Sequence, residues 1–278
     1  MGIRDSVVLL TGASSGIGRV TARAMARRGA RLAVVARRAA LLESLADECR
    51  SDGAECLVLP GDLGERGFAE EIVATTEAHY GRLDTLVLNA AISSHRSVLR
   101  LAAEDAERVM RINFLSPVWT TLAALPALLR RENSAIVFVS SFAAKVCPPR
   151  EAIYAASKAA MNSFAEGLRG DLQGSGIHVG VVNPGAIDTP IWERGEDEDP
   201  SGFQGHKHPP EVITRAIFEV IESRSTEITA PRLDPSLLSA RLLHALAPSI
   251  LQAGLNRMEP PDPALLASAR ERAARRED

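Results

Sequence analysis

The chain has 278 residues, a hydrophobic fraction of 46%, a formal net charge of −3 and three cysteines. This length and apolar content suit one large α/β domain with a short appendage, and the slight negative charge argues against nucleic acid as a partner. Cys49, Cys56 and Cys147 are odd in number and match no zinc spacing, which points to a reducing, cytoplasmic setting.

Short apolar runs at residues 7–10, 32–36, 56–59, 86–88, 135–139 and 179–182, with a weaker one at 227–230, alternate with helical patterns, among them residues 20–28, 41–50, 70–79 and 106–129. The first run is too short for a signal peptide and runs into a glycine-rich turn instead of a cleavage site. No apolar run is expected to span a membrane, and membrane contact is not expected. Most runs are continuously apolar, the pattern of strands covered on both faces. Strand–helix alternation predicts an α/β fold with a doubly wound parallel sheet of about seven strands and helices on both faces. A single domain is expected over residues 1–232. Within it, residues 190–210 are acidic and then rich in Gly, His and Pro, which reads as a mobile substrate loop. In that loop Glu193, Glu196, Asp197, Glu198 and Asp199 read as a solvated face, and His206 and His208 as solvated side chains; no metal site is expected. Residues 233–278 read as a helical extension with a stripe of Leu237, Leu238, Leu242, Leu243, Leu246 and Leu251, interrupted at Pro248, and a charged tail fraying from Arg270. So many leucines need cover: the pocket rim, a subunit interface or a membrane surface. Folding over its own domain or a partner, beside the loop, is the expected outcome.

Thr11-Gly12-Ala13-Ser14-Ser15-Gly16-Ile17-Gly18 follows the first strand and opens the first helix. Glycines let backbone N–H groups approach a pyrophosphate, and a helix N-terminus adds unpaired donors and partial positive charge. Further on, Tyr154 and Lys158 are four residues apart, one helical turn on one face. A phenol is a weak base near neutrality, and a nearby ammonium is expected to stabilise the phenolate, lower its pKa and suit the pair to proton exchange with a carbonyl or alcohol oxygen.

The Thr-Gly-x-x-x-Gly-x-Gly turn and the Tyr-x-x-x-Lys pair resemble those of the short-chain dehydrogenase/reductase family, over roughly residues 6 to 231, by an ordered series of motifs. The resemblance implies a Rossmann-like fold and a nicotinamide dinucleotide bound by Gly12, Ser14, Ser15, Gly16, Ile17 and Gly18. NAD enzymes of this fold usually place an acid at the end of the second strand to bind ribose hydroxyls. Here Arg37 and Arg38 follow Ala36. A guanidinium can bind a 2′-phosphate, so NADP(H) is expected over NAD(H), with Arg37 the favoured ligand and Arg38 evenly divided between ligand and solvated residue. Ser15 stands where many NADP-preferring relatives carry a basic residue.

By the same resemblance, Asp62, followed by Leu63, binds the adenine, and Asn89 either contacts the cofactor or steadies the sheet. Ala91 replaces a family glycine, which asks whether its backbone avoids positive φ. Ser141, thirteen residues before the tyrosine, holds the substrate oxygen, and Ser140 serves the backbone. Pro117 lacks an N–H, which frees the carbonyl of residue 113 to bind water; in the family the matching asparagine links the lysine to solvent, which makes Asn113 the fourth catalytic residue beside Ser141, Tyr154 and Lys158. Pro184, Gly185 and Thr189 resemble the segment that orients the nicotinamide. Phe142, Val146, Ile191 and Trp192 flank the expected pocket and suggest a hydrophobic substrate; Trp192 either covers it or anchors the loop.

The expected activity is interconversion of a carbonyl and an alcohol by hydride transfer on a small molecule. The alternative is a catalytically silent dinucleotide-binding sensor or scaffold of the same fold, which needs the turn but not Ser, Tyr and Lys together. A nucleotide-sugar epimerase or dehydratase would bring a different glycine spacing and a longer chain. The small residues Ala152, Ala155, Ala156 and Ala159 suit close helix packing, and relatives pair this helix across a symmetry axis, so a homodimer or homotetramer is expected.

Overall fold

A computed structural model describes residues 2–192, 199, 205–260 and 262–274. Among them, β1 (Val7–Thr11), β2 (Arg31–Ala36), β3 (Cys56–Pro60), β4 (Thr85–Leu88), β5 (Ser134–Val139), β6 (Ile177–Pro184) and β7 (Glu227–Ala230) form one sheet in the order β3-β2-β1-β4-β5-β6-β7. Every neighbouring pair is parallel. Each strand coincides with an apolar run of the sequence.

The runs are continuous because alternate residues feed two separate cores. Val8 and Leu10 face one core, with Ala22 and Met25 of α1 (Gly16–Ala26), Leu42 and Leu45 of α2 (Ala39–Ser51), and Ile213 and Ile217 of α7 (Glu211–Ser223). Val7 and Leu9 face the other, with Ala69 and Ile72 of α3 (Arg66–Tyr80), Ala124 and Leu128 of α5 (Ser116–Leu129), and Met161 and Ala165 of α6 (Ala152–Asp171). Both faces are therefore dry, and each fully buried Leu or Val contributes about 1.5–3 kcal/mol. β1 lies between β2 and β4, so successive connections leave it in opposite directions. The crevice beyond the carboxyl ends of β1 and β4 is where doubly wound sheets bind ligands.

Two expectations about long segments are corrected. The stretch Ala103–Leu129 is helical throughout and apolar enough to cross a membrane by length and composition, but half of its most apolar window is buried within this domain. It is also not one regular helix: α4 (Ala103–Met110) passes into a π-helical turn, Arg111–Leu115, before α5. That turn surrounds Asn113, with Pro117 in the first turn of α5. At the other end of the chain, α8 (Pro235–Leu246), α9 (Pro248–Met258) and α10 (Pro263–Ala274) follow one another. Pro248 opens a new helix, as its fixed φ and missing N–H favour. Residues 270–274, read from their charges as frayed, are the last turn of α10; residues 275–278 lie outside the described residues.

Candidate active site

The glycine turn is fixed by contacts that leave no room for side chains. A Cβ on Gly12, whose φ is +71°, would sit 2.7 Å from the Cα of Ala90, and one on Gly18 would sit 2.2 Å from the Gly12 carbonyl oxygen. Asn89 braces this turn: its Nδ2 donates to the carbonyls of Thr11 at 3.0 Å and Gly12 at 3.2 Å. The Thr11 hydroxyl accepts from the N–H groups of Asn89 and Ala90. Ala91 is not among the residues with positive φ, so the family's glycine is dispensable here. α1 then begins at Gly16 with no side-chain cap from Ser15 and no acidic residue in its first turn. Its leading N–H groups face the cavity with the charge preference of a helix N-terminus, and the residues present fit a pyrophosphate.

Arg38 supplies what Ser15 lacks. Its guanidinium donates to Ser14 Oγ at 2.9 Å and Ser15 Oγ at 2.7 Å. Both Arg37 and Arg38 line the cavity, and Arg38 is the one that reaches the turn. Arg38 occupies the N-cap position of α2, with a backbone that is not helical, and from there its side chain crosses to the turn. Asp62 and Leu63 line the same end, with Asp62 Oδ1 accepting from the Gly64 N–H at 2.9 Å.

The chemistry lies where β5 meets α6. Ser140 donates to the carbonyl of Lys158 at 3.2 Å. Ser141 Oγ accepts from the Ala143 N–H at 3.1 Å, which leaves its own proton to donate. Tyr154 and Lys158 share a face of α6, as the spacing implies, and both line the cavity with Ser141. Lys158 is 1% exposed, and its Nζ donates to the Val139 carbonyl at 3.0 Å. Burial pulls its pKa down from 10.5 to about 7. Tyr154 departs from expectation in the opposite sense. Burial pushes its pKa above the ordinary tyrosine value and the Glu151 carboxylate pushes it further, while a hydrogen bond with Ser141 pulls against both. Desolvation therefore outweighs the help expected from the lysine, and Tyr154 holds its proton at neutral pH.

Asn113 is fully buried and does not reach the cavity. Its Oδ1 accepts from the Ile92 N–H at 2.9 Å, and its Nδ2 donates to the Ile92 carbonyl at 3.0 Å and to Ser157 Oγ at 3.2 Å. The side chain thus ties the segment after β4 to the residue beside Lys158. Gly18 is likewise a packing residue behind the turn.

Pro184, the last residue of β6, and Gly185 and Thr189 beyond it line the cavity wall. A Cβ on Gly16 would stand 3.1 Å from the Thr189 side chain, so this segment passes directly over the glycine turn. Phe142, Val146, Ile191 and Trp192 line the wall as expected. Trp192 lines the cavity, and its Nε1 donates to the Ile187 carbonyl at 2.6 Å, which ties it to the segment after β6. The solvated reading of two loop residues is corrected. His208 exchanges backbone hydrogen bonds with residues 186 and 188 and contacts the Asp234 carboxylate at 3.1 Å. Asp199 is buried, accepting from the Ser97 N–H and pairing with Arg100. Glu193, Glu196, Asp197 and Glu198 lie outside the described residues.

Sequence reasoning missed His95, Glu151 and Glu259, which line the same cavity. Glu151 sits one turn before Tyr154, a signal that was available; nothing in the sequence connects His95 with Glu259. The cavity measures about 2020 Å³, beyond the roughly 300–1,000 Å³ of one ordinary small-molecule site. It has room for a dinucleotide and a second molecule.

Residues 6–199 match the short chain dehydrogenase family, and the chain belongs to that family. It is 33% identical over 226 residues to the uncharacterized oxidoreductase YxnA of Bacillus subtilis, covering 79% of this chain and 64% of that one. It is 43% identical over 191 residues to 11-beta-hydroxysteroid dehydrogenase 1A of Arabidopsis thaliana, covering 67% and 54%. The chain thus spans less than two thirds of the length of these two relatives. Among solved structures, a short-chain dehydrogenase from Sphingobium yanoikuyae in complex with NADPH superimposes with a TM-score of 0.76 at 27% identity, covering 89% of this chain and 95% of that one.

Proposed function

We propose that the protein is an NADPH-dependent reductase of a hydrophobic ketone or aldehyde. One observation carries this reading: a single cavity is lined by the glycine turn with Arg37 and Arg38 at one end and by Ser141, Tyr154 and Lys158 beyond it. A sensor or scaffold of the same fold has no use for the second set.

The N-terminus of α1 with Ser14, Ser15, Gly16 and Ile17 would hold the pyrophosphate, Arg37 and Arg38 a 2′-phosphate, Asp62 and Leu63 the adenine, and Pro184, Gly185 and Thr189 the nicotinamide. When bound, the reduced nicotinamide supplies a hydride to the carbonyl carbon. The protein's task is to polarise the carbonyl and deliver a proton. Ser141 donates a hydrogen bond to the substrate oxygen and stabilises its developing charge. Tyr154 gives that oxygen its phenolic proton, which burial holds on the ring oxygen at neutral pH. Lys158, when charged, stabilises the phenolate left behind. Asn113 holds the segment after β4 against the catalytic helix through Ile92 and Ser157.

The NADPH complex of the Sphingobium yanoikuyae structure supports the cofactor. The steroid named for the Arabidopsis relative fits the apolar wall of Phe142, Val146, Ile191 and Trp192. Oxidation of NADPH and of NADH, followed with a panel of apolar ketones, aldehydes and quinones, tests the proposal. Turnover with NADPH and at least one apolar carbonyl is expected; faster turnover with NADH would overturn the cofactor assignment.

A further inference from the structure

The C-terminal helices α8 and α9 form a wall of the cavity through Leu237, Leu243, Leu251, Leu255 and Met258. Other leucines of the same pair point away, Leu238, Leu242 and Leu246 being 53%, 60% and 75% exposed. α8 and α9 contain no buried residue, so core packing alone does not hold them in place. What holds them lies at their two ends.

At the start of α8, Asp234 accepts from the N–H groups of Ser236 and Leu237 and receives the His208 imidazole at 3.1 Å. His208 is itself bonded through its backbone to the nicotinamide segment. The next residues seat Leu237 against Gly185, where a Cβ would lie 2.9 Å from a leucine methyl. At the end of α9, the Glu259 carboxylate lies 3.5 Å from Nε2 of His95, whose Nδ1 is 3.4 Å from Glu151. His95 is 2% exposed. Arg150, which precedes Glu151, adopts a left-handed φ of 63°. From it the backbone carbonyl accepts from the Arg96 N–H at 2.7 Å, and the guanidinium donates to the Pro260 carbonyl at 3.2 Å. A non-glycine residue held there marks a junction the surroundings over-determine. Three segments remote in sequence meet at that junction: the stretch after β4, the start of the catalytic helix and the end of α9.

We propose that α8 and α9 are a cap pinned at both ends by histidine–carboxylate contacts, His208–Asp234 and His95–Glu259, and that the second pin, through Glu151, fixes the cap to the catalytic helix and makes its leucine wall the selector for bulky apolar substrates. The inference rests on the reductase reading above. With the cap docked, a substrate large enough to reach from Tyr154 to the leucines gains their contact, and a small carbonyl does not. His95 and Glu259 are positioning residues, acting through the wall they hold.

The test uses the full chain and the substitution Glu259→Gln, which keeps shape and removes charge. Amide hydrogen exchange over residues 235–258 should accelerate about tenfold or more, as expected for a segment released from one anchor. KM for a tetracyclic alicyclic ketone should rise about tenfold with kcat held within about twofold, and both constants for propanal should stay within about twofold. The NADPH dissociation constant should not change. Gln252→Ala, on the solvent side of α9, should change none of these. His95→Gln combined with Glu259→Gln should be no worse than either alone, the signature of one shared contact. Unaltered exchange in Glu259→Gln would overturn the pin. Faster exchange with an unaltered ratio of the two KM values would overturn the selecting role. If the unaltered protein turns over neither carbonyl, the reductase reading fails and selection with it, while the exchange result still reports on the pin.

Discussion

Lys158 is only 1% exposed, and its pKa is drawn from 10.5 to about 7. At about 1.36 kcal/mol per pKa unit, that gap disfavours the charged form in the folded state by ~5 kcal/mol. An unfolded chain keeps the lysine proton up to its ordinary pKa, whereas the folded protein releases it from about pH 7. Between those two values the unfolded state binds more protons, so this residue makes stability rise with pH. From pH 7 to pH 9 the gain is about 2 kcal/mol. Replacing Lys158 by Met removes the titration and preserves most of the volume. Urea unfolding of both proteins without nucleotide, at pH 7 and pH 9, isolates the effect. Taking the difference between the proteins cancels Cys56, Cys147 and Tyr80, whose raised pKa values act alike in both, and Tyr154, also raised, keeps its proton over this range. The stability of Lys158→Met relative to the unaltered protein should fall by about 2 kcal/mol between pH 7 and pH 9. A relative stability that is the same at both pH values would refute the reasoning and show that the amine is neutral, or solvated, throughout.

Arg38→Ala should weaken NADPH binding about tenfold and leave NADH nearly unchanged, consistent with loss of one charge-assisted phosphate contact, while Arg37→Asp should move preference towards NADH; equilibrium titrations with both nucleotides decide each case. Gly18→Ala places a Cβ 2.2 Å from a backbone oxygen, so nucleotide binding should be lost and the melting temperature lowered, and retention of full affinity would contradict the packing described for the turn. The small-residue face of α6 should pair with a second copy, and sedimentation equilibrium at micromolar concentration should show a dimer or tetramer; a pure monomer would exclude it.

Much of the fold was legible because its signals are local. Seven apolar runs became seven strands, since the β period is hidden only when both faces are covered, and here each face has its own core. Tyr154 and Lys158 were legible because helical spacing alone places them together. The reach of Arg38 was not, because it depends on the turn from β2 into α2. The protonated state of Tyr154 was not legible either: a neighbouring lysine is visible in sequence, but the degree of burial that outweighs it is not. Asn113 was picked out through Pro117, yet its contacts run through the side chain to Ile92 and Ser157. The pins at His95 and His208 join residues separated by 164 and 26 positions, which no spacing rule connects. The leucines of the C-terminal extension call for cover by its own domain or by a partner subunit; only the structure reveals that the cover within the chain is partial and the anchorage polar.

The phenol of Tyr154 is the group through which the proposed proton transfer must pass. Single-turnover oxidation of bound NADPH by an apolar ketone, in the unaltered protein and in Tyr154→Phe, measures it. The account predicts a rate lower by about two to four orders of magnitude in the variant, with the NADPH dissociation constant unchanged. A variant rate within a few-fold of the unaltered protein would contradict it.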